Sequence, residues 1–293
     1  MRFKIGALIE SCRPKQWIKN LLVFALPLSD GALIGSNSSL DVFLRGVIVF
    51  ICLSLISSGN YLINDLLDKQ FDRHHPVKMH RPIASDRLGS STALIFAFLL
   101  FSTSLAFISI FRNLYLTLAL VAFGLLQFFY SKFLKNWVGL DLVSLSLLYV
   151  LRATIPSLYE DIALSKWYLV IFFSGALFLA AGKRHAEFVA ESSQKSRLVL
   201  GGYSEAQLKI WVTVSLSLIL VSYLTWIFSY SDNSNFLILL FSLAPMVALL
   251  IRVTGLVLEE HGEDPSSILF IDRINLVLIF ACFVLYLLGK GFL

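Results

Sequence analysis

Long apolar runs dominate this sequence and restrict it to one class of fold. Of its 293 residues, 57% are hydrophobic and only 15% are charged. An α-helix of about 20 apolar residues crosses the ~30 Å hydrocarbon core of a bilayer. Because a backbone inside lipid must satisfy its own hydrogen bonds, runs of this length predict membrane-spanning helices. We therefore expect an all-α, polytopic membrane protein that folds within the bilayer.

The apolar runs mark about nine spans, and we expect them to form one bundle, a single transmembrane domain over residues 1–293. Pro27 interrupts the first run, and the sixth run is the shortest. The predicted spans are residues 17–34, 42–63, 92–111, 114–133, 138–158, 167–182, 208–229, 235–252 and 272–290.

The basic residues predict how the chain is oriented. When the chain is traced through the nine predicted spans, all but five of the 24 Lys and Arg residues lie on the side of the N-terminus. Cytoplasmic loops carry such an excess, so we expect a cytoplasmic N-terminus in the cytoplasmic (inner) membrane. This topology also explains the net charge of +5, and no nucleic-acid-binding motif accompanies it. We therefore expect no nucleic-acid partner and leave a homo-oligomer open. The exceptions are Arg45, Arg112, Arg152, Lys166 and Lys290.

Three carboxylates follow the second span in the string Asn64-Asp65-Leu-Leu-Asp68-Lys-Gln-Phe-Asp72. Helical offsets of three and seven residues return to nearly the same direction, so Asp65, Asp68 and Asp72 form an acidic ladder on one face. Mg²⁺ is commonly held by one or two carboxylates together with substrate phosphates. The acidic ladder therefore predicts a magnesium-dependent binding site for a diphosphate. The alternative is a solvated helix end whose acids pair with Lys69 and Arg73.

A second charged segment follows the sixth span and carries Lys183, Arg184 and Glu187. Glu187 and Glu191 are four residues apart and share a helical face. We expect this carboxylate pair to face the same compartment as the acidic ladder. The alternative is an ordinary pair of Lys183 with Glu187 on a wet helix.

The string Asn64-Asp65-x-x-Asp68-x-x-x-Asp72 resembles the hallmark of the nine-helix, UbiA-type intramembrane transferases. Within that superfamily, three strings resemble the decaprenyl-phosphate phosphoribosyltransferase branch: Arg13-Pro-Lys-Gln-Trp-Ile-Lys-Asn20, Arg81-Pro-Ile-Ala-Ser85 and Gly182-Lys-Arg-His-Ala-Glu187. The resemblance implies transfer of 5-phosphoribose from phosphoribosyl diphosphate to a polyprenyl (decaprenyl-type) phosphate with release of diphosphate. Such a lipid-linked pentose is used to build the cell envelope.

The resemblance also implies roles for individual residues. The acidic ladder would hold Mg²⁺ on the donor diphosphate, and Asn64 would orient its carboxylates. Glu187 would contact the metal or a ribose hydroxyl, while Lys183 and Arg184 would clamp phosphate. For the remaining candidates the alternative explanation is that they only set the membrane topology or anchor the helix ends at the membrane interface. These further candidate substrate contacts are Lys15, Lys19, Lys78, Arg81, Arg87, Tyr130 and Lys132.

One position departs from the family pattern. Asp86 follows the string Arg81 to Ser85 where the family string has a glycine. We expect the Asp86 carboxylate to pair with Arg87 and to change how this loop closes.

Two other functions fit the same residues. One is a prenyltransferase that moves an isoprenyl group from a prenyl diphosphate to an aromatic acceptor. The other is an ion-coupled transporter, which would place its acids near the middle of spans. The acids here lie at the ends of spans, which favours the transferases.

Overall fold

The structure is a computed structural model that describes residues 5–34, 39–189, 198–231, 234–258 and 272–292. Within these ranges the regular structure is entirely helical. Its α-helices are α1 (Ile5–Cys12), α2 (Ala25–Ser29), α3 (Ser39–Leu67), α4 (Lys69–Arg73), α5 (Ser90–Ile108), α6 (Leu114–Lys132), α7 (Leu140–Thr154), α8 (Lys166–Val189), α9 (Glu205–Phe228), α10 (Phe236–Phe241), α11 (Leu243–Leu258) and α12 (Arg273–Lys290).

Eight helical segments among these residues are long and apolar enough to cross a membrane. They overlap the second to the ninth predicted spans, and the largest difference is in the sixth, where the helical segment Lys166–Val189 continues seven residues past the predicted end at residue 182. The expected all-α, membrane-embedded class is therefore confirmed. The predicted cytoplasmic N-terminus stays a prediction.

The first predicted span, residues 17–34, is built differently from the others. A 3₁₀-helix runs from Pro14 to Phe24 and continues directly into α2. Pro14 opens this helix at a position where no backbone N–H is needed. A 3₁₀-helix rises about 2.0 Å per residue against 1.5 Å in an α-helix, so the two pieces together extend roughly 30 Å. A ninth crossing remains a prediction.

The helices belong to two compact units. The first unit comprises residues 1–135 and 151–163, and the second comprises residues 136–150 and 164–293. Helix α7 contributes its first eleven residues, 140–150, to the second unit and its last four to the first.

Helix α3 is the centre of the first unit, where it packs against α1, the 3₁₀-helix, α5 and α6. Two glycines permit this close approach. A Cβ atom at Gly46 would lie 2.5 Å from the ring of Phe24, and one at Gly59 would lie 2.9 Å from the ring of Phe101. Small residues let membrane helices approach closely. The packing fixes α3 up to its last turn, where the acidic ladder begins.

A chain of buried polar side chains also joins elements of the first unit. The amide of Asn20, which is 1% exposed, donates to the hydroxyl of Ser54 over 3.0 Å. Its oxygen accepts a hydrogen bond of 2.8 Å from Nε of Arg152. The Arg152 guanidinium lies over the ring of Phe123, 4.6 Å from its centroid. Arg152, one of the five basic residues that do not lie on the predicted cytoplasmic side, is thus buried inside the protein and does not face lipid.

The second unit is organised around α8 and α9, which pack against each other. Gly182 lets α8 approach Val257, whose nearest methyl group would lie 2.5 Å from an added Cβ atom. A capping box of Ser204 and Gln207 fixes the beginning of α9. The core of this unit includes the buried residues Leu142, Leu177, Phe178, Val212, Ile219 and Val253.

The polar chain of the first unit generates a stability prediction. In Asn20→Ala, Arg152 loses a buried hydrogen bond to a charged group, so we expect the free energy of unfolding to fall by about 1.5–3 kcal/mol. Unfolding in detergent measures this change. Asn136→Ala removes an exposed amide and is the matched control. Equal stability of the two variants would show that Asn20 does not support Arg152.

Candidate active site

The acidic ladder lies across the junction of two helices rather than on one. Helix α3 ends at Leu67, and Asp68 occupies the junction with φ −88° and ψ 0°. The backbone hydrogen bonds nevertheless continue, from Asp68 N to Asn64 O over 2.9 Å and from Asp72 N to Asp68 O over 2.8 Å. The junction is therefore a local bend that keeps Asp65 and Asp72 one above the other.

Arg81 joins the first and last carboxylates of the ladder. Its Nη1 atom donates to Asp65 Oδ1 over 3.2 Å and to Asp72 Oδ2 over 2.7 Å. Both carboxylates are buried, with side-chain exposures of 2% and 5%, whereas the Arg81 side chain is 27% exposed. Because one nitrogen atom reaches both groups, two carboxylate oxygens from residues about two turns apart converge on one point.

Arg13 provides a second cation for Asp65, and sequence analysis gave it no role in the site. Its Nη2 atom lies 2.5 Å from Asp65 Oδ1, and its guanidinium stands over the ring of Tyr61 at 4.8 Å. Arg13 has φ 52° and ψ 60°, a left-handed conformation that is uncommon for a residue with a side chain. The contacts of the guanidinium hold the chain in this conformation just before Pro14.

Asp68 has a different partner from the other two acids. Nζ of Lys135 lies 3.0 and 2.9 Å from its two carboxylate oxygens. Among the described residues, no group of three or more Asp, Glu, His and Cys side chains is placed to hold one metal ion. The predicted magnesium-binding role of the three carboxylates stays a prediction, and in this structure Asp65 and Asp72 share Arg81 while Asp68 pairs with Lys135.

The loop after α4 is fastened by Asp86, which has φ 56°. This left-handed conformation favours glycine, the residue expected here from the family pattern. The carboxylate accepts from Lys69 over 2.8 Å and from Arg73, and the Lys69 hydrogen bond, aided by the charge of Arg73, lowers the pKa of Asp86. The expected pair with Arg87 is wrong, because Arg87 forms a fork with Glu10 over 2.8 and 2.9 Å.

These contacts also test the alternative in which the acidic ladder pairs with Lys69 and Arg73. Lys69 and Arg73 bind Asp86, not the ladder. The pairing of the ladder with Lys69 and Arg73 is therefore wrong, and its actual cations come from distant parts of the first unit.

The remaining candidates of the first unit have varied surroundings. The Asn64 side chain makes no hydrogen bond within the part of the chain that the structure describes. The Lys132 ammonium lies 5.0 Å from the centroid of the Phe133 ring, a contact that suits an interface anchor. Lys15 is exposed, whereas three other candidates are half-buried: Lys19, Lys78 and Tyr130.

The charged segment of the second unit is organised around Asp141, which is 0% exposed. Its carboxylate accepts from Nε of Arg184 over 2.8 Å and from the Tyr203 hydroxyl over 2.5 Å. The Tyr203 oxygen in turn accepts from the backbone N–H of Gly139 over 2.7 Å. Burial, together with the hydrogen bond to Asp141, raises the pKa of Tyr203. Asp141 thus ties the start of α7 to the end of α8.

Arg184 links this buried centre to Glu187. Its Nη1 atom donates to Glu187 over 2.8 Å, and the two side chains are 1% and 22% exposed. The Arg184 guanidinium lies beneath the surface and pairs with Glu187, and its predicted role as a phosphate clamp stays a prediction. Lys183 is half-buried, and Glu191 lies outside the described residues.

The first-unit cluster provides groups for both halves of a metal–diphosphate complex. Asp65 and Asp72 offer the oxygen ligands that Mg²⁺ prefers, and two carboxylates are as many as it commonly takes from protein. Arg13, Arg81 and Lys135 offer N–H donors for phosphate oxygens, the two arginines as planar forks. The residues present therefore fit a magnesium ion bound together with a diphosphate.

The left-handed backbone at Asp86 yields a test of how this loop is held. We expect Asp86→Ala to be less stable than Asp86→Gly, because both lose the ion pairs but only glycine relieves the left-handed strain. Thermal midpoints in detergent, with the wild-type protein as reference, measure the order. An alanine variant as stable as the glycine variant would contradict the assigned backbone conformation.

Comparison with known sequences shows relatives along almost the entire chain. Residues 21–274 match the UbiA prenyltransferase family. The decaprenyl-phosphate phosphoribosyltransferase of Mycolicibacterium smegmatis is 34% identical over 291 residues, which cover 94% of this chain and 90% of that protein. The protein of the same name from Corynebacterium glutamicum is 30% identical and covers 94% of this chain and 83% of its own length.

Comparison with solved structures identifies the same fold. A UbiA homolog from Archaeoglobus fulgidus, bound to GPP and Mg²⁺, superposes with a TM-score of 0.67 and covers 98% of this chain and 99% of its own. Its sequence is only 16% identical, so the likeness concerns the fold. Taken with the family match over most of the sequence, these findings show that the chain belongs to the UbiA prenyltransferase family, as a membrane-embedded transferase.

Proposed function

We propose that this protein transfers 5-phosphoribose from phosphoribosyl diphosphate to a polyprenyl phosphate and releases diphosphate. The observation that carries the proposal is the identity of 34% and 30% to two decaprenyl-phosphate phosphoribosyltransferases, each over 94% of this chain. The reaction would take place at the cytoplasmic face of the inner membrane. Its product would be a lipid-linked pentose phosphate for cell-envelope synthesis.

Asp65 and Asp72 are the proposed magnesium ligands, and Asp68 completes the acidic part of the site. A bound Mg²⁺ ion would neutralise the diphosphate as a leaving group. Arg13 and Arg81 are each more than a quarter exposed. Both guanidinium groups can therefore bind phosphate oxygens while they remain paired with Asp65. Lys135 offers the same contact from beside Asp68. Asn64 would orient the carboxylates through its free amide.

The substrates themselves determine what further chemistry the protein must supply. The bond between C1 of ribose and a diphosphate oxygen breaks, and its electron pair leaves with diphosphate. An oxygen of the polyprenyl phosphate forms the new bond to C1. That oxygen is already anionic at neutral pH, so no side chain has to act as a general base. Arg13 and Arg81 would bind the growing negative charge on the leaving group and favour the transition state over the ground state.

The other predicted contacts remain proposals. Glu187 would contact a ribose hydroxyl or the metal, Lys183 would contact phosphate, and the apolar tail would lie in a groove that is open to the bilayer. The remaining proposed substrate contacts are Lys15, Lys19, Lys78, Arg87, Tyr130 and Lys132.

Prenyl transfer is the second candidate function. Two solved structures of a UbiA homolog from Archaeoglobus fulgidus with the same fold contain GPP and Mg²⁺ or DMAPP and Mg²⁺. Paired carboxylates serve a prenyl diphosphate as well as a phosphoribosyl diphosphate, since both release diphosphate. The identity over nearly the whole chain favours the phosphoribosyl donor.

The proposed metal ligands can be tested directly. We expect Asp65→Asn and Asp72→Asn each to lower turnover by at least about 100-fold, since each removes a negatively charged ligand of the magnesium ion that would neutralise the leaving diphosphate. Membrane insertion should be unchanged, because asparagine has the same shape. Label transfer by purified variants measures turnover, and Asp30→Asn, which alters an exposed carboxylate, is the control. Near-normal turnover in both variants would overturn the assignment.

Lys183 can be tested in the same assay. If its ammonium contacts donor phosphate in the ground and transition states alike, Lys183→Ala should raise the KM for phosphoribosyl diphosphate about tenfold with little change in kcat. Lys209→Ala is the control, because Lys209 forms an exposed pair with Glu205 one turn away. An unchanged donor KM would remove Lys183 from the proposed contacts.

A further inference from the structure

A second polar pocket lies in the first unit, at the opposite end of α3 from the acidic ladder. Arg45 lines it and precedes Asp65 by 20 positions on this helix, which corresponds to about 30 Å. The pocket has a volume of about 360 Å³. Its lining residues are Arg45, Ile48, Ile110, Phe111, Asn113 and Tyr159. Its lining therefore combines one cationic side chain, two aromatic rings, one amide and two aliphatic side chains.

Two buried oxygen atoms, one on a residue that lines the pocket and one on the next residue along the chain, have no hydrogen-bond partner among the residues that the structure describes. One is the hydroxyl oxygen of Tyr159, and the other is Oε1 of Glu160. The Glu160 side chain is only 5% exposed, and its second oxygen meets Arg45 at the long distance of 3.5 Å. Burial raises the pKa of both groups. Buried polar atoms are nearly always satisfied, so these two oxygens indicate a ligand that brings hydrogen-bond donors.

The walls of the pocket are held independently of any ligand. The Asn113 amide donates to Leu158 O over 2.6 Å, and its oxygen accepts from Leu116 N over 3.0 Å. The rings of Phe111 and Tyr159 meet edge to face with centroids 5.4 Å apart. The side chain of Asn113 thus already uses its hydrogen-bonding groups to join α6 to the segment after α7. Arg45, Tyr159 and Glu160 remain as the groups that can recognise a ligand.

The charges at the pocket distinguish between classes of ligand. Arg45 is 48% exposed and can present a planar fork to a phosphate. Next to it, Glu160 is under the influence of a second carboxylate, Asp41. A purely anionic ligand would place its additional negative charge near these acids. A ligand with a phosphate for Arg45 and an N–H-bearing cation for Glu160 complements both signs.

We propose that this pocket binds the headgroup of a zwitterionic aminophospholipid, with its phosphate on Arg45 and its primary ammonium on Glu160 and Tyr159. A primary ammonium has three N–H donors, enough for both orphan oxygens. The rings of Phe111 and Tyr159 suit a neighbouring cation. Ile48 and Ile110 offer aliphatic surface to the upper part of the acyl chains. A choline headgroup carries the same charges but has no N–H to donate.

Native mass spectrometry of the full-length protein in detergent tests the proposal without any assay of activity. Phosphatidylethanolamine, phosphatidylcholine and phosphatidylglycerol with identical acyl chains would be titrated separately. We expect phosphatidylethanolamine to bind at least about tenfold more tightly than the other two, the scale of one hydrogen bond to a charged group. Equal binding of the three lipids, or tightest binding of phosphatidylglycerol, would overturn the proposal.

Variants of the pocket residues test whether the preference for phosphatidylethanolamine arises at this pocket. Glu160→Gln should remove most of the selectivity for the ethanolamine headgroup over choline, and Tyr159→Phe, which removes only the hydroxyl, should reduce it. Asp30→Asn changes an exposed carboxylate of the same unit and should retain the full selectivity. If Glu160→Gln does not fold, the half-exposed Arg45 provides the test through Arg45→Gln. Because Arg45 would bind the phosphate that the three lipids share, Arg45→Gln should weaken the binding of all three. Full selectivity in the folded Glu160 variant, or unchanged affinity for all three lipids in the Arg45 variant, would show that the lipid binds elsewhere.

Discussion

The shared hydrogen bonding of Asp65 and Asp72 to Arg81 is the interaction on which the proposed chemistry depends. Two carboxylates that are at most 5% exposed have been taken out of water at the end of a membrane helix. Removing one partner of such a buried pair typically costs about 3–5 kcal/mol, because the other charge is left uncompensated. Arg81 and Arg13 both donate to Oδ1 of Asp65, and Arg81 also donates to Asp72, so their positive charges offset the repulsion between the two neighbouring acids.

In the second unit an arginine also pairs with buried acids, but its own side chain is enclosed. Arg184 is 1% exposed and holds Asp141 and Glu187, whereas Arg13 and Arg81 are 28% and 27% exposed. An arginine that reaches solvent can exchange a carboxylate for a phosphate oxygen, but a fully enclosed one is fixed by its partners. The exposed fraction therefore separates the arginines suited to bind substrate from the one that supports a neighbouring glutamate.

Hydropathy predicted eight of the helices, because a bilayer imposes length and apolarity on each span separately. The seven-residue spacing likewise predicted that Asp65 and Asp72 share a face. What the sequence could not predict is the partner of each charge. Arg13 lies 52 positions from Asp65, Lys135 lies 67 from Asp68, and Arg184 lies 43 from Asp141. Helical spacing rules reach only four residues, so such pairs depend on packing. The bend at Asp68 was missed for a related reason, since the periodicity continues unbroken through it.

The most direct test of the proposed function compares two donors on the purified protein. One reaction contains Mg²⁺, polyprenyl phosphate and labelled phosphoribosyl diphosphate, and the other contains Mg²⁺, a labelled prenyl diphosphate and a small aromatic acceptor. The proposal predicts that label enters the lipid only in the first reaction and that EDTA prevents its transfer. Product only in the second reaction would contradict the phosphoribosyl assignment and identify an ordinary prenyltransferase.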